Sequence, residues 1–284
     1  MLGSLAGDII GQPYEFNKLW KTEKNPHFQP LFQEEGRFTD DSVLSIAVAN
    51  VFLQSKSPEL VQLDDFIIMI KKFARLYPHA GYGGSFFQWM LSNTSEPYGS
   101  WGNGSAMRVG PIAYCFSNLE DVQKYAAWSA EITHNHPEGV KGAQATATAI
   151  FLARTGWSKK EIQAYIETNY KYRFDFSIAE VRPTFKFDVS CQGTVPFALQ
   201  AFFESENFEH AVRLAISLGG DTDTLACITG SIAEAFYGGV PKEIQQQVAF
   251  RLTPDLLQVV QSFCSRFQIF SKSYEKFLNY SLSK

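Results

Sequence analysis

Several features that mark other protein classes are missing from this sequence. The N-terminal residues contain no basic region followed by an apolar core, and no run of about 18 apolar residues occurs, so we expect a cytoplasmic protein without a membrane partner. Lysine and arginine form no basic stripe and the net charge is −4, so nucleic-acid binding is not expected. The cysteines form no CxxC pair, which argues against a zinc site or a redox motif: Cys115, Cys191, Cys227 and Cys264.

The composition and the helix signals predict an all-α protein. The chain has 284 residues, of which 45% are hydrophobic and 19% charged, which is typical of a soluble globular fold with a substantial core. Helix starts are well marked, for example by Pro137 and by the capping box of Ser158 with Glu161. We expect about ten or more helices in a single compact domain over residues 1–284. Residues 174–189 alternate phenylalanine with polar residues and alone suggest extended structure.

An acidic turn precedes the most apolar helical segment. Two glycines let the chain turn before Asp221 and Asp223, Thr224 follows, and residues 225–236 are mostly small and apolar. One acid at this position is explained by a helix N-cap. Two acids and a hydroxyl exceed what a cap needs, and two carboxylates about 4 Å apart repel by roughly 4 kcal/mol at the dielectric of a protein surface. This excess of oxygen favours a divalent cation.

A second acidic cluster stands at the start of another apolar helix. It comprises Thr39, Asp40 and Asp41, followed by Ser42. Thr39 as an N-cap with two ordinary first-turn acids explains this run about as well as a ligand set does. Both clusters place threonine and aspartate at the start of a helix rich in small residues. That arrangement can bring two helix N-termini together.

Two glycine-rich loops are candidates for binding phosphate. They cover residues 81–85 and 98–105, and each leads into a helical pattern. Converging backbone N–H groups and a helix N-terminus can hold an anion without lysine, so we expect Gly81 and Gly83 to bind substrate, although plain turns are the commoner use of such loops. In the second loop the indole of Trp101 could stack on a purine.

His134 and His136 lie two residues apart after the glycine loops. A zinc site would need further soft ligands, and none is nearby in the sequence. We therefore interpret the two histidines as polar pocket residues or as hydrogen-bonding groups at a helix end.

Taken together, these motifs resemble the ADP-ribosylglycohydrolase family. The resemblance spans nearly the whole chain and implies an all-α fold with a central, metal-lined cleft that binds ADP-ribose beside two Mg²⁺ ions per chain. The matching motifs occur in the order of the family: Gly3-Ser-Leu-Ala-Gly-Asp8 with Glu15, Phe38-Thr-Asp-Asp-Ser42, Gly102-Asn-Gly-Ser-Ala-Met-Arg108, Thr133-His134 with Gly139 and Gly142, and Gly219-Gly-Asp-Thr-Asp-Thr224.

The resemblance also implies roles for individual residues. The ligands of the metals would come from two helices, namely Thr39, Asp40, Asp41, Asp221, Asp223 and Thr224. Glu15 matches a glutamate near the metals, Trp101 an adenine-stacking aromatic that is tyrosine in some members, and Asn103 a ribose contact. The diphosphate loop would be Gly99, Ser100 and Gly102, with His134 also facing the ligand.

The implied reaction is hydrolysis of a glycosidic bond to ADP-ribose. Two Mg²⁺ ions would hold ribose hydroxyls and polarise a water, with Asp41, Asp223 and Glu15 as catalytic residues and Asp41 or Asp223 orienting that water. We expect a monomer acting on an ADP-ribosylated protein, with arginine as the modified residue, or on a small ADP-ribose conjugate. Two alternatives stay open: a non-catalytic ADP-ribose-binding protein, and a hydrolase of ADP-ribosyl-serine, O-acetyl-ADP-ribose or a modified nucleobase.

Overall fold

Helices make up the regular structure of the chain. The computed structural model describes residues 1–17, 24–270 and 272–280, and within these ranges it contains no β-strand. The all-α prediction is therefore confirmed. The helices are α1 (Leu2–Gly11), α2 (Asp40–Gln54), α3 (Leu63–Leu76), α4 (Gly84–Leu91), α5 (Gly104–Met107), α6 (Ile112–Cys115), α7 (Leu119–Glu131), α8 (Pro137–Arg154), α9 (Lys159–Tyr170), α10 (Ile178–Val181), α11 (Cys191–Glu204), α12 (Phe208–Ile216), α13 (Thr222–Tyr237), α14 (Lys242–Arg251), α15 (Pro254–Arg266) and α16 (Glu275–Leu278), with 3₁₀ turns at Gln12–Asn17 and Pro58–Leu60.

Residues 174–189 do not form the extended structure that their alternation suggests. They contain the short helix α10, which begins at a capping box of Ser177 with Glu180, and are otherwise irregular. Three of the four phenylalanines pack onto α11 rather than lining one face of a strand. The rings of Phe185 and Phe197 lie 4.8 Å apart, and those of Phe174 and Phe203 lie 5.0 Å apart. The prediction of extended structure is wrong because side-chain packing overrides the alternation.

Helix α13 lies at the centre of the fold. It is buried from Thr222 to Ala235 and packs against α1, α8, α11 and α12. Its contact with α1 is unusually close, because a Cβ added at Gly7 would lie 2.0 Å from the carbonyl oxygen of Ala226, and one at Gly3 would lie 2.1 Å from that of Gly230. Only glycine permits this approach. It brings the end of α1, which carries Asp8, beside the start of α13.

The remaining helices cover this centre. Buried apolar side chains from α1, α2, α7, α8, α11, α13 and α15 form one continuous hydrophobic core. Helix α2 packs on α3 and α15, and α8 packs on α7. Among the described residues, no helix combines the length and the apolar character needed to cross a bilayer.

Candidate active site

Asp8 organises the start of α2. Its carboxylate accepts hydrogen bonds from the backbone N–H of Thr39 at 2.9 Å, from the Thr39 hydroxyl at 2.8 Å, and from the backbone N–H of Ser42 at 3.1 Å, and it also accepts one from the Ser42 hydroxyl. Thr39 is the N-cap, and its Oγ1 accepts from the N–H of Asp41 at 3.3 Å. The cap that the sequence left open is therefore present, and a fully buried aspartate fixes it in place.

The start of α13 is built differently. Gly219 and Gly220 have φ values of +74° and +77°, which a side chain would strain. Asp221 occupies the N-cap position but makes no side-chain cap bond. Its Oδ2 instead accepts from the Asn103 amide at 2.6 Å. Helix capping therefore does not account for the Asp221 carboxylate.

The two helix starts meet, as the sequence predicts. The hydroxyl of Thr224 lies 3.1 Å from Asp41 Oδ2. Carboxylate oxygens of Asp8, Asp41 and Asp223 all lie within 4.8 Å of one another, and so do those of Glu15, Asp221 and Asp223. Asp223 belongs to both groups, so the cluster offers two adjacent sets of oxygen ligands.

Three aspartates at this site have no protein cation paired with them in the part of the chain that the structure describes. Asp40, Asp41 and Asp221 form no ion pair with any residue in the described ranges, and the buried Oδ1 of Asp41 has no hydrogen-bond partner there. Burial, followed by repulsion from neighbouring carboxylates, raises the pKa of all three well above its ordinary value. A set of carboxylate and hydroxyl oxygens suits a hard divalent cation such as Mg²⁺, so these residues fit the implied metal.

The pKa of Asp8 is raised in the same way as those of the neighbouring aspartates. Burial, with repulsion from Asp223 as the second cause, raises the pKa of Asp8 to about 7. Its hydrogen bonds from Thr39 and Ser42 oppose that increase only in part. The environment of Asp8 therefore favours either a bound proton or a neighbouring cation.

A cavity of about 490 Å³ lies over the cluster. Its size is in the usual range for a small-molecule site. Of the predicted site residues, those that line it are Glu15, Thr39, Asp40, Asp41, Gly81, Gly83, Ser100, Gly102, Asn103, His134, Asp221, Asp223 and Thr224.

Gly99 and Trp101 stand outside the cavity lining. The Trp101 side chain is 53% exposed, and its ring meets that of His136 at a centroid distance of 5.6 Å. It lies in the same loop as Ser100 and Gly102, which do line the cavity. An indole in this position is available to stack on a group that extends beyond the cavity.

Three backbone N–H groups of the second glycine loop are already used within the protein. That of Gly99 donates to Asn135 Oδ1 at 2.9 Å, that of Ser100 to the Thr133 carbonyl at 3.4 Å, and that of Gly102 to Ser100 Oγ at 3.1 Å. The N–H groups of these three residues would have to give up their present bonds before they could bind a ligand.

The first glycine loop places the N-terminus of a helix at the cavity wall. Gly83 is the N-cap of α4, and Gly83 and Gly84 both line the cavity. First-turn N–H groups of a helix have no partner within the helix, and they carry partial positive charge. The start of α4 therefore favours negative charge at this wall.

Asp8, Arg108 and Tyr98 are functional candidates that were not singled out individually from the sequence. Asp8 and Arg108 end two of the motifs that carry the family resemblance, which was the available signal. Arg108 and Tyr98 line the cavity. Their importance depends on contacts between distant segments, which local sequence patterns do not show.

The chain is similar to known proteins both in sequence and in fold. A family model described as ADP-ribosylglycohydrolase matches residues 1–273. The chain is 28% identical over 321 residues to human ADP-ribosylhydrolase ARH3, covering 87% of each protein. It is 26% identical over 279 residues to the ADP-ribosylarginine hydrolase Tri1 of Pseudomonas putida (strain GB-1), covering 88% of this chain and 73% of Tri1. A solved structure titled ADP-ribosylglycohydrolase-related protein complex superposes with a TM-score of 0.66 at 21% identity, covering 96% of this chain and 95% of its own, and shows the same fold.

Proposed function

Because the chain belongs to the ADP-ribosylglycohydrolase family of glycosyl hydrolases, we propose that it is a Mg²⁺-dependent enzyme that removes ADP-ribose from modified protein side chains. The preferred substrate in this proposal is ADP-ribosyl-arginine, and the product is free ADP-ribose. We further propose that the protein acts as a cytoplasmic monomer with one domain over residues 1–284.

The observation that carries the metal-dependent mechanism is the meeting of α2 and α13. Their first turns bring Asp41, Asp223 and Thr224 together, and Asp41 Oδ1 lacks a partner among the described residues. In the proposal, two Mg²⁺ ions neutralise this buried charge. The residues that would hold them are Thr39, Asp40, Asp41, Asp221, Asp223 and Thr224.

Bound Mg²⁺ would supply Lewis-acid chemistry, by polarising a water and holding ribose hydroxyls. The protein residues then have distinct tasks. Asp41 or Asp223 orients the water for attack at the anomeric carbon and takes its proton, which finally passes to the departing side-chain nitrogen. Positive charge develops on the sugar as that bond breaks, and Glu15 at the cavity wall stabilises it together with the aspartates.

The preference for arginine rests on one relative. Tri1, named an ADP-ribosylarginine hydrolase, covers 88% of this chain. The competing linkages are ADP-ribosyl-serine, O-acetyl-ADP-ribose and a modified nucleobase. The non-catalytic alternative is disfavoured because human ARH3 and Tri1 are both named as hydrolases.

A substrate panel tests the proposal. The protein is incubated with each conjugate in Mg²⁺ or in EDTA, and released ADP-ribose is quantified by mass spectrometry. We expect metal-dependent release, fastest from ADP-ribosyl-arginine. Asp223→Asn should lose it. The exposed Asp64 gives a matched control, since Asp64→Asn removes a carboxylate that does not line the cavity. Faster release from another conjugate would replace arginine in the proposal, and binding of ADP-ribose without release from any conjugate would contradict the catalytic role.

A further inference from the structure

Arg108 is a fully buried cation that the proposed reaction does not use. It lines the cavity and has no exposed surface. Its Nη2 donates to the carbonyl of Ser129 and, at 2.9 Å, to Thr133 Oγ1. Its Nε and Nη1 have no hydrogen-bond partner among the described residues, and no carboxylate in those ranges pairs with it. Burying an unpaired charge is costly, so its position at a ligand cavity points to an anion.

The hydroxyl of Thr133 connects Arg108 to His134. Thr133 is fully buried, and its Oγ1 lies 2.7 Å from His134 Nδ1. The other hydrogen-bond partner of Oγ1 among the described residues is Arg108 Nη2. A hydroxyl has two lone pairs and one proton. Arg108 can only donate and so occupies a lone pair, which leaves Nδ1 as the acceptor, among the described residues, for the proton of Thr133. The proton of a neutral imidazole then lies on Nε2.

His134 is held neutral and faces the cavity. Burial, with the charge of Arg108 as the second cause, lowers the pKa of His134 well below its ordinary value. Its Nε2 is directed at the glycine loop, since a Cβ added at Gly102 would lie 3.5 Å from it and one at Gly104 would lie 3.1 Å from it. The N–H groups of Gly99, Ser100 and Gly102 are already engaged, so the ring N–H of His134 would be an additional donor at this end of the cavity.

We propose that Arg108 is a positioning residue that acts through Thr133 to fix His134 as the Nε2–H tautomer, whose N–H donates to an anionic oxygen of the substrate's diphosphate. The inference rests on the proposed function for the identity of the anion. Arg108 adds positive charge beneath the same group without touching it. His134 is thereby a donor that needs no proton from solvent, and the diphosphate is recognised away from the acidic cluster.

The test uses the full-length protein labelled with ¹⁵N-histidine. Long-range ¹H–¹⁵N spectra report which ring nitrogen carries the proton, and His134→Gln identifies the signal among the five histidines. We expect wild type to carry the proton on Nε2. Thr133→Val, which keeps shape and removes the hydroxyl, should lose this single tautomer and bind ADP-ribose about tenfold or more weakly, and Thr133→Ser should restore both. A proton on Nδ1 in wild type, or an affinity of Thr133→Val within twofold of wild type, would overturn the inference.

Arg108→Met supplies the second readout. Since the diphosphate is bound both before and during bond cleavage, the variant should raise KM about tenfold and leave kcat within about threefold, with Mg²⁺ affinity unchanged. A fall in kcat at unchanged KM would contradict a positioning role. If Arg108→Met does not fold, the comparison of Thr133→Val with Thr133→Ser still tests the proposal. The NMR and ADP-ribose binding measurements require no turnover. A failure to hydrolyse any conjugate would therefore contradict the proposed function without affecting the test of the His134 tautomer.

Discussion

Metal removal should make the stability of this protein fall as the pH rises. The buried carboxylates at the meeting of α1, α2 and α13 have raised pKa values in the folded protein. In the unfolded chain they return to ordinary values. Between the two pKa values the folded state therefore binds more protons than the unfolded state, and the free energy of unfolding decreases with increasing pH. This is the opposite of the usual behaviour of a salt-bridged aspartate.

The pKa of Asp8 gives the magnitude of this change in the free energy of unfolding. Its pKa rises from 3.8 to about 7, and it is fully buried. A tenfold change in proton affinity corresponds to roughly 1.4 kcal/mol, so Asp8 alone lowers the free energy of unfolding by on the order of 4 kcal/mol between pH 4 and pH 7. Asp40, Asp41 and Asp221 have pKa values raised in the same direction, which extends the loss to higher pH. A bound divalent cation should offset this loss.

Urea unfolding followed by circular dichroism at pH 5 and pH 8, in EDTA and in Mg²⁺, measures this directly. In EDTA the protein should be less stable at pH 8, and Mg²⁺ should stabilise it more at pH 8 than at pH 5. Asp8→Asn removes the charge and keeps an acceptor oxygen. The slope of the variant's free energy of unfolding against pH should therefore be smaller than that of wild type, by up to the contribution of about one proton. Asp64→Asn is the control and should follow wild type. Equal or greater stability of wild type at pH 8 in EDTA would refute the electrostatic reasoning.

Three further predictions concern single residues. Asp223→Ala should lower hydrolysis roughly a hundredfold or more, since Asp223 belongs to both ligand groups, while circular dichroism shows an intact helical fold; a wild-type rate at saturating Mg²⁺ would refute its role. Trp101→Ala should raise KM about fivefold to a hundredfold through lost stacking and change kcat less, as steady-state kinetics would show; the reverse pattern would exclude simple stacking. Gly7→Ala should destabilise the fold by about 1–3 kcal/mol or more, measured by thermal unfolding, because its Cβ would lie 2.0 Å from a carbonyl oxygen of α13; Gly84→Ala, with open space around it, should not.

The sequence predicted the parts of this protein that depend on local rules. The cap at Thr39 follows from its position before an apolar helix, and it is present. The convergence of the two acidic helix starts was predicted from their shared pattern and is present in the structure. Their roles as metal ligands stay predictions.

Other features depend on contacts between distant segments and could not be predicted locally. Asp8 appears from sequence as a polar residue near the end of a helix, yet it accepts bonds from residues 31 and 34 positions away. The engagement of the glycine-loop N–H groups by Thr133 and Asn135 likewise needs the folded chain. The error at residues 174–189 arose because aromatic packing on α11 outweighs a strand-like alternation.

The most direct test of the central claim is a diffraction experiment on crystals of the protein grown with Mn²⁺ in place of Mg²⁺. Anomalous difference maps locate manganese independently of the protein coordinates. The account predicts two manganese peaks between the first turns of α2 and α13. Each peak should lie within coordination distance of carboxylate oxygens, with Asp41 and Asp223 among the ligands. Maps with no peak between these two helix starts, or with manganese bound only elsewhere on the protein, would contradict it.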